Sequence, residues 1–265
     1  RTYLRGSQLD SVMNYPLRAG ILAFVQWGDA QTLYRVLTEI YASYPRTVSD
    51  SLMNLLGTHD TARIFTLLGA DPEDGEKPNR ELAVYRLSDE AAARACVRLT
   101  IAAVLQFTVY GIPSVYYGDE VATEGWHDPF CRMPFPWTAE ANGGFTSGMP
   151  WLKCNDDYAA ICAKKQEQDK DSLLHYYRNL IRIRKDEANR ECLIYGEVRE
   201  IENAVESVIA FERIAENGEK IQIWINMSDE IQQADIAEGE ILCNNYSETS
   251  QKSLNPYQAV IVRRR

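Results

Sequence analysis

Residues 55–61 read LLGTHDT, a short apolar run that ends in a histidine beside a carboxylate. The run suits a buried strand, whereas polar side chains at the end of such a strand must be paired, solvated or used in chemistry. His59 and Asp60 place a titratable ring and a carboxylate at one strand end, which favours a functional role for both.

Up to about residue 187, short apolar segments alternate with longer segments of helical spacing, a pattern typical of βα units around a parallel sheet. We predict strands over 9–15 (LDSVMNY), 52–58 (LMNLLGT) and 112–118 (IPSVYYG). A barrel needs eight strands, and an open sheet covered on both faces needs more than three. The chain is therefore either a small open sheet or the second half of a larger barrel.

The segments between the predicted strands have the periodicity and end signals of amphipathic helices. One follows Asp29, one begins after Ser88 as a capping residue and ends at Gly111, and one covers 172–185. No apolar run comes near the ~20 residues that a membrane span needs. The residues assigned to the apolar helix faces are Leu33, Val36, Leu37, Ile40, Cys96, Leu99, Ala103, Phe107, Leu174, Tyr177 and Ile181.

After about residue 190 the apolar pattern changes to a period of two. Residues 207–226 read as a hairpin around Asn217-Gly218, and further strands are expected near 240–243 and at 259–264. We therefore predict two domains, an α/β part over 1–187 and an antiparallel β domain over 188–265. The polar, glycine-containing segment 138–157 is predicted to be a long surface loop.

Composition excludes several classes of protein. The 265 residues are 45% hydrophobic and 25% charged, as in a globular protein. A net charge of −10 argues against nucleic acid and anionic membrane as partners. Six cysteines without a CxxC pair argue against a zinc ribbon and a disulfide scaffold, and favour buried free thiols in a reducing compartment. With no signal-peptide pattern at the N-terminus, we expect a cytoplasmic location.

Polar or aromatic side chains follow all three predicted strands, and the carboxyl ends of parallel strands are where α/β proteins bind ligands. For most of these residues a role as a cap or turn residue is the stronger interpretation, since Asp and Asn are common there. That holds for Asn14, Asp119 and Glu120. The residues at the three ends are Asn14, Tyr15, His59, Asp60, Tyr117, Asp119 and Glu120.

The stretch LLGTHDT, together with YGIPSVYYGDE at 110–120, resembles two consecutive signature stretches of the alpha-amylase family of (β/α)8 glycoside hydrolases, glycoside hydrolase family 13. LRGSQLDSVMNYPLR at 4–18 and HDPFCRMPFPW at 127–137 narrow the likeness to the neopullulanase and cyclomaltodextrinase branch. The resemblance implies an α/β plus all-β architecture: strands six to eight of a TIM barrel with their helices, followed by a C-terminal antiparallel β-sandwich domain.

The resemblance also implies roles for single residues. Asp60 corresponds to the family's third invariant carboxylate, which hydrogen-bonds the sugar in the cleavage subsite, and His59 contacts the same sugar. Such hydrogen bonds strengthen as an oxocarbenium-like transition state develops. Asp128 and Arg132 correspond to a pair that contacts glucose units further from the cleaved bond. The alternative for that pair is a salt bridge that pins a loop, and both roles are compatible.

Other candidates have structural alternatives of equal or greater weight. Arg63 is a candidate for orienting Asp60, with a purely structural arginine as the alternative, and Tyr117 is a candidate substrate contact. An aromatic cluster in the same region would suit glucose rings, although such residues commonly form local core. Its members are Trp126, Phe130, Phe135 and Trp137. Glu124 has no assigned role, and His127 and His175 are expected to be structural.

A retaining glycosidase needs a carboxylate nucleophile and a second carboxyl as general acid/base. In the family these lie on strands four and five, and no residue of this chain matches either, because the N-terminal stretch resembles the region just past the acid/base. We therefore expect the C-terminal part of an α-glucan hydrolase acting on cyclodextrins, pullulan, starch or maltooligosaccharides, which is inactive alone. The alternatives are a non-catalytic alpha-amylase-like subunit and a carbohydrate-binding protein.

The partners expected from this interpretation are an α-glucan and the N-terminal half of the barrel. A lone half-barrel would expose sheet edges and an apolar face, so pairing with a second copy as a homodimer is also expected. No cofactor is required. Calcium is compatible with the family, but no residue in this segment indicates a calcium or other metal site.

Overall fold

A computed structural model of the chain describes Leu4 and residues 8–203 and 205–264. The chain forms two compact units. The first unit comprises 1–55, 101–114 and 180–265, and the second comprises 56–100 and 115–179. Arg1 and Arg5 lie outside the described residues.

The described residues form ten α-helices and nine strands. The helices are α1 (Tyr15–Trp27), α2 (Ala30–Ser43), α3 (Arg46–Ser49), α4 (Ile64–Gly69), α5 (Asn79–Leu82), α6 (Asp89–Thr108), α7 (Tyr158–Ile161), α8 (Ala163–Gln166), α9 (Leu173–Lys185) and α10 (Glu187–Arg190). The strands are β1 (Met53–Leu55), β2 (Ile112–Ser114), β3 (Glu197–Glu200), β4 (Val208–Ile214), β5 (Lys220–Asn226), β6 (Gln232–Gln233), β7 (Gly239–Asn244), β8 (Ser253–Leu254) and β9 (Ala259–Arg264). Short 3₁₀ turns and one π-turn connect several of them.

In the first unit, β1 and β2 pair in parallel, as predicted, over a shorter length than predicted. The predicted strand 9–15 is wrong as a full strand, because it contributes only a parallel bridge from Met13 to Met53. The chain turns into α1 instead. Asn14 caps α1 by accepting a hydrogen bond from the Leu17 amide at 3.3 Å, and Pro16 suits the first turn. The structural role predicted for Asn14 is confirmed.

The C-terminal part of the first unit is antiparallel, as predicted. Its five-stranded sheet has the order β3-β4-β5-β9-β7, and β6 pairs with β8 in a separate two-stranded sheet. The predicted hairpin is β4–β5, and Gly218 adopts the positive φ of 88° that its turn requires. One buried apolar cluster contains residues from both sheets: Val208, Ala210, Trp224, Ile236, Leu254, Val260 and Val262.

The C-terminal end of α6 also lies in the first unit. Buried arginines donate hydrogen bonds to carbonyl oxygens in its last turn and just after it. Arg184 donates to the carbonyls of Phe107 and Gly111, each at 2.6 Å. Arg213 donates to the carbonyl of Thr108 and, at 2.9 Å, to that of Gly196. Burial lowers the pKa of Arg184 to about 9 and that of Arg213 to about 10.

The second unit is built from helices and turns. Ser88 caps α6 as predicted, since its hydroxyl accepts from the Ala91 amide at 3.2 Å. A small buried cluster joins Val121, Phe135, Ala163 and Leu174. The segment 138–157, predicted to be a surface loop, contains a 3₁₀ turn over Ala141–Gly144.

Two predicted helix faces need correction by one residue. Cys96 is exposed while the adjacent Ala95 is buried, and Ile181 is exposed while Leu180 and Ile183 are buried. Four of the six free thiols are buried as predicted, whereas Cys96 is exposed and Cys154 is intermediate.

The prediction that no segment approaches the length and apolar character of a membrane span needs correction at helix α6. Its 20 residues are long and apolar enough to cross a bilayer by length and composition alone. Since 56% of its most apolar window is buried within the protein, the apolar composition of α6 is explained by core packing.

Candidate active site

His59 and Asp60 lie in a tight turn in the second unit that two threonines close. The Thr61 hydroxyl accepts from the Thr58 amide at 3.2 Å, and the Thr58 hydroxyl accepts from the Asp60 amide at the same distance. The strand expected over 52–58 ends at Leu55. His59 and Asp60 therefore lie in a turn beyond the strand and not at its end.

The imidazole and the carboxylate form a pair on the surface. Nε2 of His59 lies 3.3 Å from Oδ1 of Asp60, and the side chains are 59% and 61% exposed. Nη2 of Arg132 lies 3.3 Å from the same Oδ1. The carboxylate of Asp60 is thus held by two nitrogen groups and still faces solvent, an arrangement that leaves it able to accept hydrogen bonds from a ligand.

A second segment of the unit supplies Arg132. The 3₁₀ turn Phe130–Arg132 follows Asp128 and Pro129, and Nε of Arg132 lies 3.0 Å from Oδ1 of Asp128. The salt bridge proposed as the structural alternative for Asp128 and Arg132 is therefore present. Because Arg132 contacts Asp60 as well, its side chain joins the turn that follows Asp128 to the His59–Asp60 turn.

Arg63 does not hold the position predicted for it. Its side chain has no exposed surface, and Nη1 lies 3.7 Å from Oδ1 of the buried Asp119 and donates to the carbonyl of Tyr117. The guanidinium packs against two tyrosine rings, 4.5 Å from the centroid of Tyr116 and 4.6 Å from that of Tyr117. A side chain enclosed in this way cannot touch a substrate, so the structure places Arg63 beneath the surface turn as a structural residue.

Asp119 is structural for the same reason, as predicted. A Cβ atom at Gly57 would lie only 2.4 Å from Oδ2 of Asp119, so the glycine of the GTHD stretch is needed for this close approach. Glu120 accepts from the Gly118 amide at 2.7 Å, and burial raises the pKa of its carboxyl. These contacts agree with the turn and cap roles assigned to both residues.

Tyr117 is partly exposed, and its hydroxyl donates to the carbonyl of Met133 at 3.0 Å. The neighbouring Tyr116 donates in the same way to the carbonyl of Cys131 at 3.3 Å. Burial raises the pKa of Tyr116. The two hydroxyls therefore hold the backbone that carries Arg132, and Tyr117 keeps an exposed ring edge beside it.

A cavity of about 890 Å³ lies next to Arg132 in the same unit. Tyr117 and Arg132 belong to its lining, whereas His59 and Asp60 lie outside it on the surface. Aromatic side chains of the 138–157 segment and its neighbours form much of the wall, and charged groups also line the cavity. The residues that define it best are Tyr117, Glu120, Arg132, Phe135, Trp137, Phe145, Trp151, Glu167 and Arg178.

The predicted aromatic cluster divides between core and cavity. Trp126 is buried and packs edge-on against Tyr85 at 5.5 Å between ring centroids. Trp137 is 54% exposed, packs against Phe135 with ring centroids 4.5 Å apart and planes tilted by 59°, and lines the cavity. The sequence-based predictions did not include Phe145 and Trp151. The signal that could have found them is the presence of two aromatic residues in a glycine-containing loop.

The contacts of the remaining candidates are structural and do not suggest a chemical role. Glu124 is buried and accepts from the Leu87 amide at 2.9 Å, and burial raises the pKa of its carboxyl. His175 contacts the carbonyl of Glu167 at 3.1 Å through Nε2. Within the described ranges, no three His, Cys, Asp or Glu side chains are grouped as metal ligands.

Sequence comparison gives the same family as the motifs. The profile described as alpha amylase, catalytic domain, matches residues 1–196. A cyclomaltodextrinase of Bacillus sp is 39% identical over 51% of this chain and 20% of its own length. A cyclomaltodextrinase of Thermoanaerobacter pseudethanolicus is 30% identical over 85% of this chain and 30% of its own length. Neopullulanase 2 of Thermoactinomyces vulgaris is 30% identical over 69% of this chain and 23% of its own length.

Solved structures share the fold. A variant of trehalulose synthase superposes with a TM-score of 0.72 at 21% identity, over 98% of this chain and 52% of that one. A variant of isomaltulose synthase from Erwinia rhapontici NX5 superposes with a TM-score of 0.69 at 20% identity, over 97% of this chain and 51% of that one. The chain spans about half the length of these structures and less than a third of the curated relatives named above. With its helices, its antiparallel sheet and a catalytic-domain match over residues 1–196, this chain belongs to the alpha-amylase family.

Proposed function

We propose that the chain is the C-terminal part of a retaining α-glucan hydrolase that cleaves α-1,4-glucosidic bonds of cyclodextrins, pullulan, starch or maltooligosaccharides. The observation that carries the proposal is the exposed Asp60 carboxylate, held by His59 and Arg132 at 3.3 Å each. A surface carboxylate fixed by two nitrogen groups from separate segments is suited to bind sugar hydroxyls in one orientation. Cyclomaltodextrinases and a neopullulanase among the relatives support this substrate class.

In this function Asp60 and His59 act without forming a covalent bond. As the glycosidic bond breaks, positive charge develops at the anomeric carbon, and hydrogen bonds from the sugar hydroxyls to a fixed carboxylate strengthen. The nucleophile and the general acid/base are supplied by a preceding part of the protein. Asp128 and Arg132 contact glucose units further from the cleaved bond.

The fold follows the same proposal. The parallel segments at Met13, β1 and β2 are strands six to eight of a (β/α)8 barrel, and the five- and two-stranded sheets form a C-terminal β-sandwich. The domain boundary lies near residue 187. The parallel register of Met13, Met53 and Ile112 supports the barrel assignment, and the buried cluster containing residues from both antiparallel sheets supports the sandwich.

The aromatic cavity supports a carbohydrate ligand. Exposed rings such as Trp137, Phe145 and Trp151 offer flat apolar surfaces to glucose units, and the charged side chains that line the cavity offer hydrogen bonds to hydroxyls. Arg132 lies both at this cavity and against Asp60. A glucan chain bound at Asp60 can therefore extend along Arg132 towards these rings.

The test is a substrate survey with the full-length protein and, in parallel, with the 265-residue chain. We expect the full-length protein to hydrolyse cyclodextrins or pullulan and a chromogenic maltoside, and the isolated chain to show no turnover. Substrates with α-1,6 bonds are included to define linkage preference. Maltotriose binding by the full-length protein without any turnover would instead identify a non-catalytic carbohydrate-binding relative.

A further inference from the structure

The carbonyl oxygen of His59 receives two hydrogen bonds from the turn that carries Arg132. Sγ of Cys131 lies 3.2 Å from this oxygen and Nε of Arg132 lies 2.9 Å from it. The same peptide is held at its other end, because the Asp60 amide donates to the Thr58 hydroxyl at 3.2 Å. The peptide that leads directly into Asp60 is thus fixed on both sides.

The two donors at the carbonyl are not equivalent. Nε of Arg132 also lies 3.0 Å from Oδ1 of Asp128, so the guanidinium is engaged in an ion pair with a carboxylate of its own segment as well. The thiol of Cys131 has no exposed surface and is directed at the His59 carbonyl. Burial raises the pKa of this thiol, which keeps its proton in place as a donor at neutral pH.

The position of this contact implies an effect on the orientation of Asp60. The His59 carbonyl and the Asp60 amide belong to one planar peptide, so the loss of one of the two hydrogen bonds at the carbonyl loosens the plane and lets the Asp60 side chain shift with it. A misplacement of about 1 Å in a catalytic constellation can cost about a hundredfold in rate. The Asp60 side chain is largely exposed, so few side-chain packing contacts can compensate.

We propose that Cys131 is a positioning residue of the cleavage site, and that its thiol fixes the His59–Asp60 peptide so that the Asp60 carboxylate meets the sugar. The inference rests on the proposed function. It assigns no contact between Cys131 and the substrate, and it makes the buried thiol part of the catalytic geometry.

The experiment compares Cys131→Ala, which removes the donor, with Cys131→Ser, which keeps one, in the full-length protein. Cys162→Ala is the matched control, since Cys162 is also buried in the second unit and its thiol, among the residues that the structure describes, contacts only the carbonyl of Ala159, at 3.7 Å. The readouts are kcat and KM on a chromogenic maltoside, together with the thermal unfolding midpoint of each variant.

We expect Cys131→Ala to lower kcat about tenfold with KM within about twofold of the wild type, because the loss affects orientation in the transition state more than ground-state binding. Cys131→Ser should recover most of kcat, and the Cys162→Ala control should match the wild type. A general loss of folded protein would lower the unfolding midpoint without this separation of kcat from KM and without rescue by serine.

Unchanged kcat in Cys131→Ala, or an equal loss in Cys131→Ser, would overturn the inference while leaving the proposed function intact. A wild-type protein without glucan turnover would reject the proposed function and this inference with it. If Cys131→Ala does not fold, Cys131→Val takes its place as the variant without a donor, and a kcat equal to that of Cys131→Ser would overturn the inference.

Discussion

At the scale of single residues, the site separates exposed groups suited to chemistry from buried groups that support them. His59 and Asp60 are more than half exposed, whereas Arg63 and Asp119 in the same unit are almost completely enclosed. A buried arginine and carboxylate stabilise a fold only as a pair, because either charge alone is costly in a medium of low polarity. Arg63 and Asp119 therefore form the charged support beneath the surface turn.

Replacing Arg63 tests this support. We expect Arg63→Met to lower the free energy of unfolding by about 3–5 kcal/mol, because the Asp119 carboxylate then lacks its guanidinium. The double variant Arg63→Met/Asp119→Asn should recover part of that loss, since the buried charge is removed as well. Urea denaturation of the full-length variants measures both effects. Equal stability of the wild type and Arg63→Met would contradict the assigned role.

Glu124 provides a test with a defined pH dependence. Burial raises the pKa of its carboxyl above the ordinary value of 4.5, so the folded protein holds this proton more tightly than the unfolded chain does. Stability is therefore lost as pH rises from about the unfolded pKa through the folded one. We expect Glu124→Gln, which keeps an acceptor for the Leu87 amide, to raise the unfolding midpoint by a few degrees at pH 7.

The gain in Glu124→Gln should shrink as the pH falls below 4.5, where the wild-type carboxyl is protonated in both states. Thermal unfolding at several pH values measures the difference between the two proteins. A gain that is independent of pH, or a loss at pH 7, would show that the charge on Glu124 is not what destabilises the wild type.

At the scale of elements, helix ends account for much of the local order. Ser88 accepts from the Ala91 amide at the start of α6, the longest helix in the described part of the chain. We expect Ser88→Ala to cost about 1 kcal/mol of stability, the usual value for losing an N-cap. Ser43→Ala at the exposed end of α2 is the control and should change stability by less than about 0.5 kcal/mol. Indistinguishable losses in urea denaturation would argue against the cap.

The helices and the antiparallel sheet were predictable from sequence because their signals are local. Caps, glycine ends and the period of apolar residues predicted α2, α6, α9 and the β4–β5 hairpin. Segment 9–15 was wrongly predicted because it is a short apolar segment of strand length, while the capping Asn14 followed by Pro16 starts a helix. Local helix-start chemistry prevailed over the apolar pattern in that segment.

The site was predictable only in part, for a physical reason. The residue types at His59, Asp60, Asp128 and Arg132 are visible in sequence, and the structure brings all four together. Burial and backbone contacts are not visible in sequence. The enclosure of Arg63 and the convergence on the His59 carbonyl therefore emerged only from the three-dimensional arrangement.

At the scale of the whole molecule, the proposed function makes the chain one part of the machinery that retaining hydrolysis needs. It spans about half the length of the matched solved structures, and the residues that correspond to a nucleophile and an acid/base are proposed to lie in a preceding part of the protein. Its described residues contain an exposed carboxylate with two nitrogen partners and, beside Arg132, an aromatic cavity. A transition-state contact and a place for further sugar units are what such a part would contribute.

The most direct test of this account is the effect of Asp60→Asn on kcat and on maltotriose affinity in the full-length protein. Asp229→Asn, which makes the same change at an exposed site in the C-terminal part, is the control. We expect Asp60→Asn to lower kcat by about a hundredfold or more and to change the dissociation constant by less than about threefold, because the contact strengthens only as charge develops. Equal kcat values for Asp60→Asn and Asp229→Asn would contradict the central claim.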